Sequence, residues 1–146
     1  MLRDVQVSMP RWQDNFSARL TGLAKPRGAI ARGSLDELRQ RYDLISAQFG
    51  QVPADAEFEH AQLGQVRGEW LYVPESEPQR LLLYFHGGGY ISGSPETHRP
   101  LVAKLCKATG AAALVVNYRL GPEFPYPAAL RDAVDAYRFL IGNGFS

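Results

Sequence analysis

A single cysteine, Cys106, leaves this 146-residue chain unable to close an internal disulfide, and the sequence reads as that of a reducing compartment. Runs of one charge sign are equally scarce. Sixteen basic against fifteen acidic side chains give a net charge of +1, and no block of like charge offers a nucleic-acid or polybasic membrane surface. Neither kind of partner is expected. Long apolar runs are missing too: residues 81–85 and 111–116 are the longest, of strand length and far below a membrane span. The first fourteen residues carry Arg3, Asp4, Arg11 and Asp14 with no continuous apolar stretch, which is wrong for a secretory leader. The expectation is a soluble, cytoplasmic protein without repeats, low-complexity tracts or linkers. What is present, 45% apolar and 21% charged residues, suits one compact domain.

Periodicity organises the chain. Ser34-Leu35-Asp36-Glu37 has the form of a capping box, in which the Ser34 hydroxyl meets the Glu37 amide and the Glu37 carboxylate reaches back, so a helix should start there. Leu35, Leu38, Tyr42, Ile45 and Phe49 then recur on one face, and Gly50 supplies a left-handed stop before Pro53. Trp12, Phe16, Leu20 and Leu23 suggest an earlier helix ended by Pro26 and Gly28, so residues 1–53 are expected to form a helical cap segment. Residues 57–62 and 68–73 collect β-formers around Leu63-Gly64-Gln65, which predicts an antiparallel hairpin. The continuously apolar residues 81–85 predict a strand covered on both faces. A helix over residues 100–109, with Leu101, Val102 and Leu105 inward and Gly110 as its stop, then leads to a second buried strand at 111–116. Strand, helix, strand makes a right-handed parallel crossover. The last helix, residues 127–141, sets Leu130, Ala133, Val134, Tyr137 and Leu140 on one stripe. The fold class is therefore α/β: cap helices, an antiparallel hairpin, then parallel strands with crossover helices. Residues 54–146 are expected to form an incomplete core, because the third parallel strand that should follow finds no residues left.

Glycine is concentrated just after the first buried strand, in His86-Gly87-Gly88-Gly89-Tyr90. A triple glycine can cradle a phosphate, but Gly-x-x-x-x-Gly-Lys is absent and Ser92 breaks the Gly-x-Gly-x-x-Gly count from Gly87. A plain flexible turn stays open on this segment alone. A second block, Tyr118-Arg119-Leu120-Gly121-Pro122-Glu123-Phe124-Pro125-Tyr126-Pro127-Ala128, stands just after the next strand, and Glu96-Thr97-His98 lies between the two. Together these segments resemble the hormone-sensitive-lipase-like carboxylesterases, in which a strand runs into His-Gly-Gly-Gly-aromatic and a Tyr-Arg-Leu-Ala-Pro-Glu-x-Pro-Phe-Pro-Ala segment follows. Gly121 departs from the usual alanine, Phe124 from histidine or another polar residue, and Arg99 from a frequent aspartate. All three flank the motifs. The resemblance covers the chain from about residue 68 onward and the N-terminal helices only in outline.

That resemblance implies an α/β-hydrolase fold and ester hydrolysis at a serine. The reaction passes through a tetrahedral intermediate whose oxygen becomes an anion, and fixed backbone amides stabilise the charge as it develops. Glycine lets the chain leave strand geometry and approach the substrate closely. By resemblance, the amides of Gly88 and Gly89 face the anion, His86 and Gly87 scaffold the loop, and Tyr90 packs under it or lines the acyl pocket. Arg119 and Glu123 are expected to tie the proline-rich turn by an ion pair.

The nucleophile elbow Gly-x-Ser-x-Gly follows a strand, and its serine precedes the acid and the histidine. No serine of this chain lies in that pentapeptide; Gly144-Phe145-Ser146 begins one, but after a helix pattern, so Ser146 is not read as a nucleophile. Asp132 and Asp135 are read as surface or structural residues, and Cys106 as a small apolar one. His60 and His98, with Glu59 and Glu96, lack a third convergent ligand, so no metal site is read. No cofactor is implied. The nucleophile, acid and base are expected on a companion C-terminal segment, the substrate is a small ester, and the chain alone is expected to be inactive. Two other readings stand beside this one. Plant gibberellin receptors resemble the same family and lack the working histidine, which would make the protein a non-catalytic small-ligand receptor. Alternatively, it is an inactive fragment that associates with a companion chain, or with its own copies as a homo-oligomer, through the edge of strand 81–85.

Overall fold

The computed structural model describes residues 34–145; the helix expected around Trp12, Phe16, Leu20 and Leu23 lies outside them. From Leu35 onward the described residues form one compact unit. Ser34 precedes α1 (Leu35–Ser46), which passes through a 3-10 turn (Ala47–Phe49) to Gly50 at φ +96°. The hairpin consists of β1 (Glu57–Leu63) and β2 (Val66–Tyr72), with Leu63 opposite Val66 and Gly64 at φ +68° in the turn. Then come β3 (Glu77–Phe85), α2 (Pro95–Thr109), β4 (Ala111–Asn117) and α3 (Ala128–Gly142). The sheet runs β1-β2-β4-β3, with β4 antiparallel to β2 and parallel to β3.

The centre belongs to β4, whose Ala113, Leu114, Val115 and Val116 are fully buried. Alternation sends Leu114 and Val116 to one face, against Leu63, Val66, Ala136 and Leu140 of the hairpin and α3. Ala113 and Val115 point the other way, against Leu71 of the sheet and Val102, Ala103 and Cys106 of α2. The result is three layers, helix on sheet on helix. Burial pushes the Cys106 thiol up to about 11, so it is protonated and inert at neutral pH. No helix among the described residues is long and apolar enough to cross a membrane.

Several expectations need correction. The crossover helix begins at Pro95, not residue 100: Ser94 caps it, its side chain accepting from the Thr97 amide at 3.3 Å while its own amide donates to Thr97 Oγ1 at 3.0 Å. Pro95 then takes the favourable first turn and Pro100 lies inside the helix. Its inward face carries His98, Val102 and Cys106, which leaves Leu105 exposed. In α3 the expected inward stripe is largely the outer one. Asp132, Ala136 and Leu140 meet the sheet, whereas Leu130, Val134 and Tyr137 are exposed. Residues 81–84 of β3 are half-buried, because the strand stands at the edge of the described sheet and α3 packs over β1 and β2 instead.

Candidate active site

The loops that leave β3 and β4 lie side by side at the C-terminal ends of the two parallel strands, where open α/β sheets place their ligands. An open cavity of about 800 Å³ runs between them, lined by His86, Gly87, Gly89 and Tyr90 from the first loop and by Tyr118 and Tyr126 among others from the second. Gly88 is not one of the lining residues.

The first loop departs sharply from strand geometry, with φ of +127° at Gly88, +64° at Gly89, +64° at Tyr90 and +88° at Gly93. A Cβ at Gly88 would overlap the carbonyl oxygen of Ser92, and one at Gly93 would overlap that of Gly87. At Gly89 nothing lies within 4 Å of the corresponding point. The turn closes on itself through the Gly88 carbonyl, which accepts from the Ile91 amide (3.2 Å), the Ser92 amide (3.1 Å) and Ser92 Oγ (2.9 Å). Ser92 is thereby committed to structure. The amides of Gly88 and Gly89 donate no hydrogen bond among the described residues.

Two buried histidines stand behind the loop. His86 Nδ1 donates to the Gly87 carbonyl at 2.9 Å, its ring stacks on Tyr118 at 4.3 Å between centroids, and the Tyr118 hydroxyl donates to the His86 carbonyl at 2.6 Å. Its Nε2 is buried without a hydrogen-bond partner among the described residues. His98, read from sequence as an ordinary polar residue, is a second support: its Nε2 accepts from the Gly87 amide at 3.3 Å and its Nδ1 lies 2.9 Å from Thr97 Oγ1. Those partners assign the neutral Nδ1–H tautomer. Tyr42 of α1 places its hydroxyl 3.4 Å from the same Nε2. The Glu-Thr-His element was the available signal, since its threonine both caps α2 and orients the ring.

The expected Arg119–Glu123 pair does not form. Arg119 instead grips Asp132 on α3, with Nη2 and Nε at 2.6 and 3.0 Å and its own amide at 2.8 Å. Glu123 is held by Arg39 of α1, two bonds at 2.8 Å, and the same guanidinium donates to the carbonyls of Ile91 (2.8 Å) and Gly121 (3.2 Å). Arg39 and Tyr42 had no motif around them, and their partners lie more than fifty residues away. Asp132 is structural, as read; Asp135 lies at the surface near Arg138. Among the described residues no three His, Cys, Asp or Glu side chains converge as metal ligands would.

Burial lowers the pKa of both His86 and His98 from 6.5. The unfolded chain therefore takes up protons that the folded rings resist. Stability from this source is complete above about 6.5 and falls as the pH drops below it towards the folded pKa values. Protonating His98 Nε2 also turns an acceptor into a donor that faces the Gly87 amide. The expected result is a melting temperature that falls between pH 7 and pH 5.5, above the range where carboxylates titrate, with a smaller fall in His98→Asn. A flat wild-type profile across that interval would exclude the effect.

Residues 82–145 match the family described as alpha/beta hydrolase fold. An acetyl-hydrolase of Streptomyces hygroscopicus is 42% identical over 115 residues, which is 77% of this chain and 37% of that protein. The crystal structure of an esterase from the bacterial hormone-sensitive lipase family superimposes with a TM-score of 0.74 at 31% identity, covering 97% of this chain and 46% of the esterase. The esterase EstE5, soaked with p-nitrophenyl butyrate, gives 0.73 at 34% identity, covering 91% of this chain and 44% of EstE5. The chain thus spans less than half the length of these relatives. The glycine loop backed by two histidines, the mixed sheet and these matches agree: the chain is a member of the hormone-sensitive-lipase-like esterase family and carries the N-terminal part of its α/β-hydrolase fold.

Proposed function

We propose that this chain contributes the oxyanion hole to a serine carboxylesterase acting on small to medium acyl esters, while the nucleophile, acid and base come from outside its 146 residues. The observation that carries this reading is the pair of consecutive amides, Gly88 and Gly89, without acceptors among the described residues, in a turn beside the cavity. A serine Oγ attacks the ester carbonyl, whose oxygen becomes an anion and accepts from both amides. The alcohol leaves with a proton from the catalytic histidine, and water then releases the acid through a second oxyanion at the same donors. His86 and Gly87 hold the loop and move no proton in this scheme. Tyr90, 69% exposed, forms a wall of the acyl pocket. Residues 1–53 act as a cap segment, a reading that Tyr42 and Arg39 support by reaching the loop from α1.

p-Nitrophenyl esters from acetate to butyrate test the proposal. The 146-residue chain alone is expected to give no turnover above buffer, and the chain joined to the second half of the fold is expected to hydrolyse them. Turnover by the chain alone overturns the division of labour. A completed protein that binds these esters without cleaving them makes the site a receptor instead.

The chain alone is also expected to self-associate. Phe85 at the end of edge strand β3, Leu130, Tyr137 and Ile141 along α3, and Tyr126 beside the cavity leave a broad apolar surface uncovered. Light scattering should report dimers or larger species; a monodisperse monomer with cooperative thermal unfolding contradicts this.

A further inference from the structure

The oxyanion loop and the proline-rich turn come from different strands and touch directly through one backbone bond, the Gly121 amide donating to the Tyr90 carbonyl at 2.8 Å. Tyr118 also joins them, its hydroxyl donating to the His86 carbonyl (2.6 Å) and its ring stacking on that of His86, and the other hydrogen bonds that fasten one to the other among the described residues pass through Arg39. Its Nε donates to the Ile91 carbonyl (2.8 Å), its Nη2 to the Gly121 carbonyl (3.2 Å), and Nη1 and Nη2 reach the two Glu123 oxygens at 2.8 Å each. The carbonyls of Tyr90 and Ile91, consecutive in sequence, are thus each fixed from outside the loop. They lie immediately after the residues with left-handed backbone, Gly89 and Tyr90, the latter a conformation that costs a non-glycine residue on the order of 1–3 kcal/mol. A strained turn persists only when its surroundings hold it; Arg39 holds it directly at the Ile91 carbonyl, and by binding the Gly121 carbonyl it also fixes the residue whose amide holds Tyr90.

We propose that Arg39 is a positioning residue for the oxyanion loop: by capturing the Ile91 and Gly121 carbonyls it sets the direction in which the Gly88 and Gly89 amides point, and Glu123 serves to orient the guanidinium. The role needs a planar fork of donors. A lysine ammonium is a point donor on a flexible stem and cannot hold two carbonyls and a carboxylate in fixed relative positions. The role also differs from that of a salt bridge, because the carbonyl contacts depend on arginine standing at position 39. This inference rests on the esterase reading for its kinetic consequences but not for its structural ones.

The test uses Arg39→Lys, Arg39→Ala, Glu123→Gln and the exchange Arg39→Glu/Glu123→Arg. In the completed hydrolase, Arg39→Ala is expected to lower kcat by up to about 10²-fold, the scale of a misplaced catalytic group, with little change in KM. Arg39→Lys should recover little of this and Glu123→Gln should lose less. The charge exchange should not rescue, since a glutamate cannot donate to Ile91 or Gly121. Hydrogen exchange on the 146-residue chain gives a second readout: in Arg39→Ala the amides of Ile91, Ser92 and Gly121 should exchange faster, while those of β4 do not. Rescue by the charge exchange, or unchanged protection of those three amides, overturns the proposal. An inactive completed wild-type protein would overturn the esterase reading alone and leave the exchange result to decide this one.

Discussion

Replacing Gly88 by alanine is expected to lower kcat of the completed hydrolase by about 10²–10³, the scale on which a lost oxyanion donor is felt. Two features of the loop lead to this. The backbone at Gly88 has φ +127°, a region L-residues rarely enter, and the added Cβ would overlap the Ser92 carbonyl oxygen and lie 3.0 Å from Ser92 Oγ. Relief by rotating a side chain is not available, because the nearest obstacles are main-chain atoms. The turn must open, and opening it moves the Gly88 carbonyl away from the Ile91 and Ser92 amides that close it. Both proposed donors then swing together. Gly89→Ala is the informative contrast: its Cβ meets nothing within 4 Å and its φ of +64° is the ordinary left-handed region, which costs an L-residue roughly 1–2 kcal/mol. The smaller penalty should leave Gly89→Ala with the milder defect in kcat. Equal turnover by wild type and Gly88→Ala would remove the oxyanion assignment altogether.

How much of this was legible in the sequence depends on the range of the interaction. The hairpin, the crossover and the glycine loop were visible because each is written in neighbouring residues: alternation in β1 and β2, a continuous apolar run in β4, and three glycines at a strand end. The start of α2 was misplaced because two prolines compete for the first turn, and the cap is Ser94 with Thr97 in place of the usual Glu or Gln. In α3 the helical period identified an apolar stripe correctly but not what covers it. Small Ala136 and capped Asp132 allow the helix to sit close to the sheet, and the bulkier stripe of Leu130, Val134 and Tyr137 turns outward. The charge partners were the least readable. Arg119 and Glu123 are four apart and of opposite sign, yet each pairs elsewhere, Arg119 across 13 residues and Glu123 across 84. No local pattern encodes such a choice. The same limit hid His98, whose partner amide at Gly87 is brought to it only when the loop folds back over α2.

Arg99 provides the second large effect. Its partner explains why a cation is suited to this position: Nε and Nη2 grip the two oxygens of Glu69, at 2.8 and 2.5 Å, from across the face between β2 and α2. The Glu69 side chain is 3% exposed and that of Arg99 29%, with the guanidinium 4.6 Å from the centre of the Phe58 ring. Removing the arginine leaves a carboxylate buried without its counter-ion. For enclosed pairs that costs about 3–5 kcal/mol, and the partial exposure of Arg99 places the expected loss for Arg99→Ala near the lower end, about 3 kcal/mol in urea unfolding. The pair itself need not add to stability, since two apolar groups of matching volume often do as well. Glu69→Leu combined with Arg99→Met should therefore recover most of what the single substitution loses. Because Arg99 follows His98 directly, the single variant should also loosen the Gly87 contact, and faster exchange of the Gly87 amide in Arg99→Ala but not in the double variant would tie the sheet-side ion pair to the order of the loop. An unchanged urea midpoint in Arg99→Ala would mean that the buried carboxylate finds another partner, and the link between this pair and the loop would fail with it.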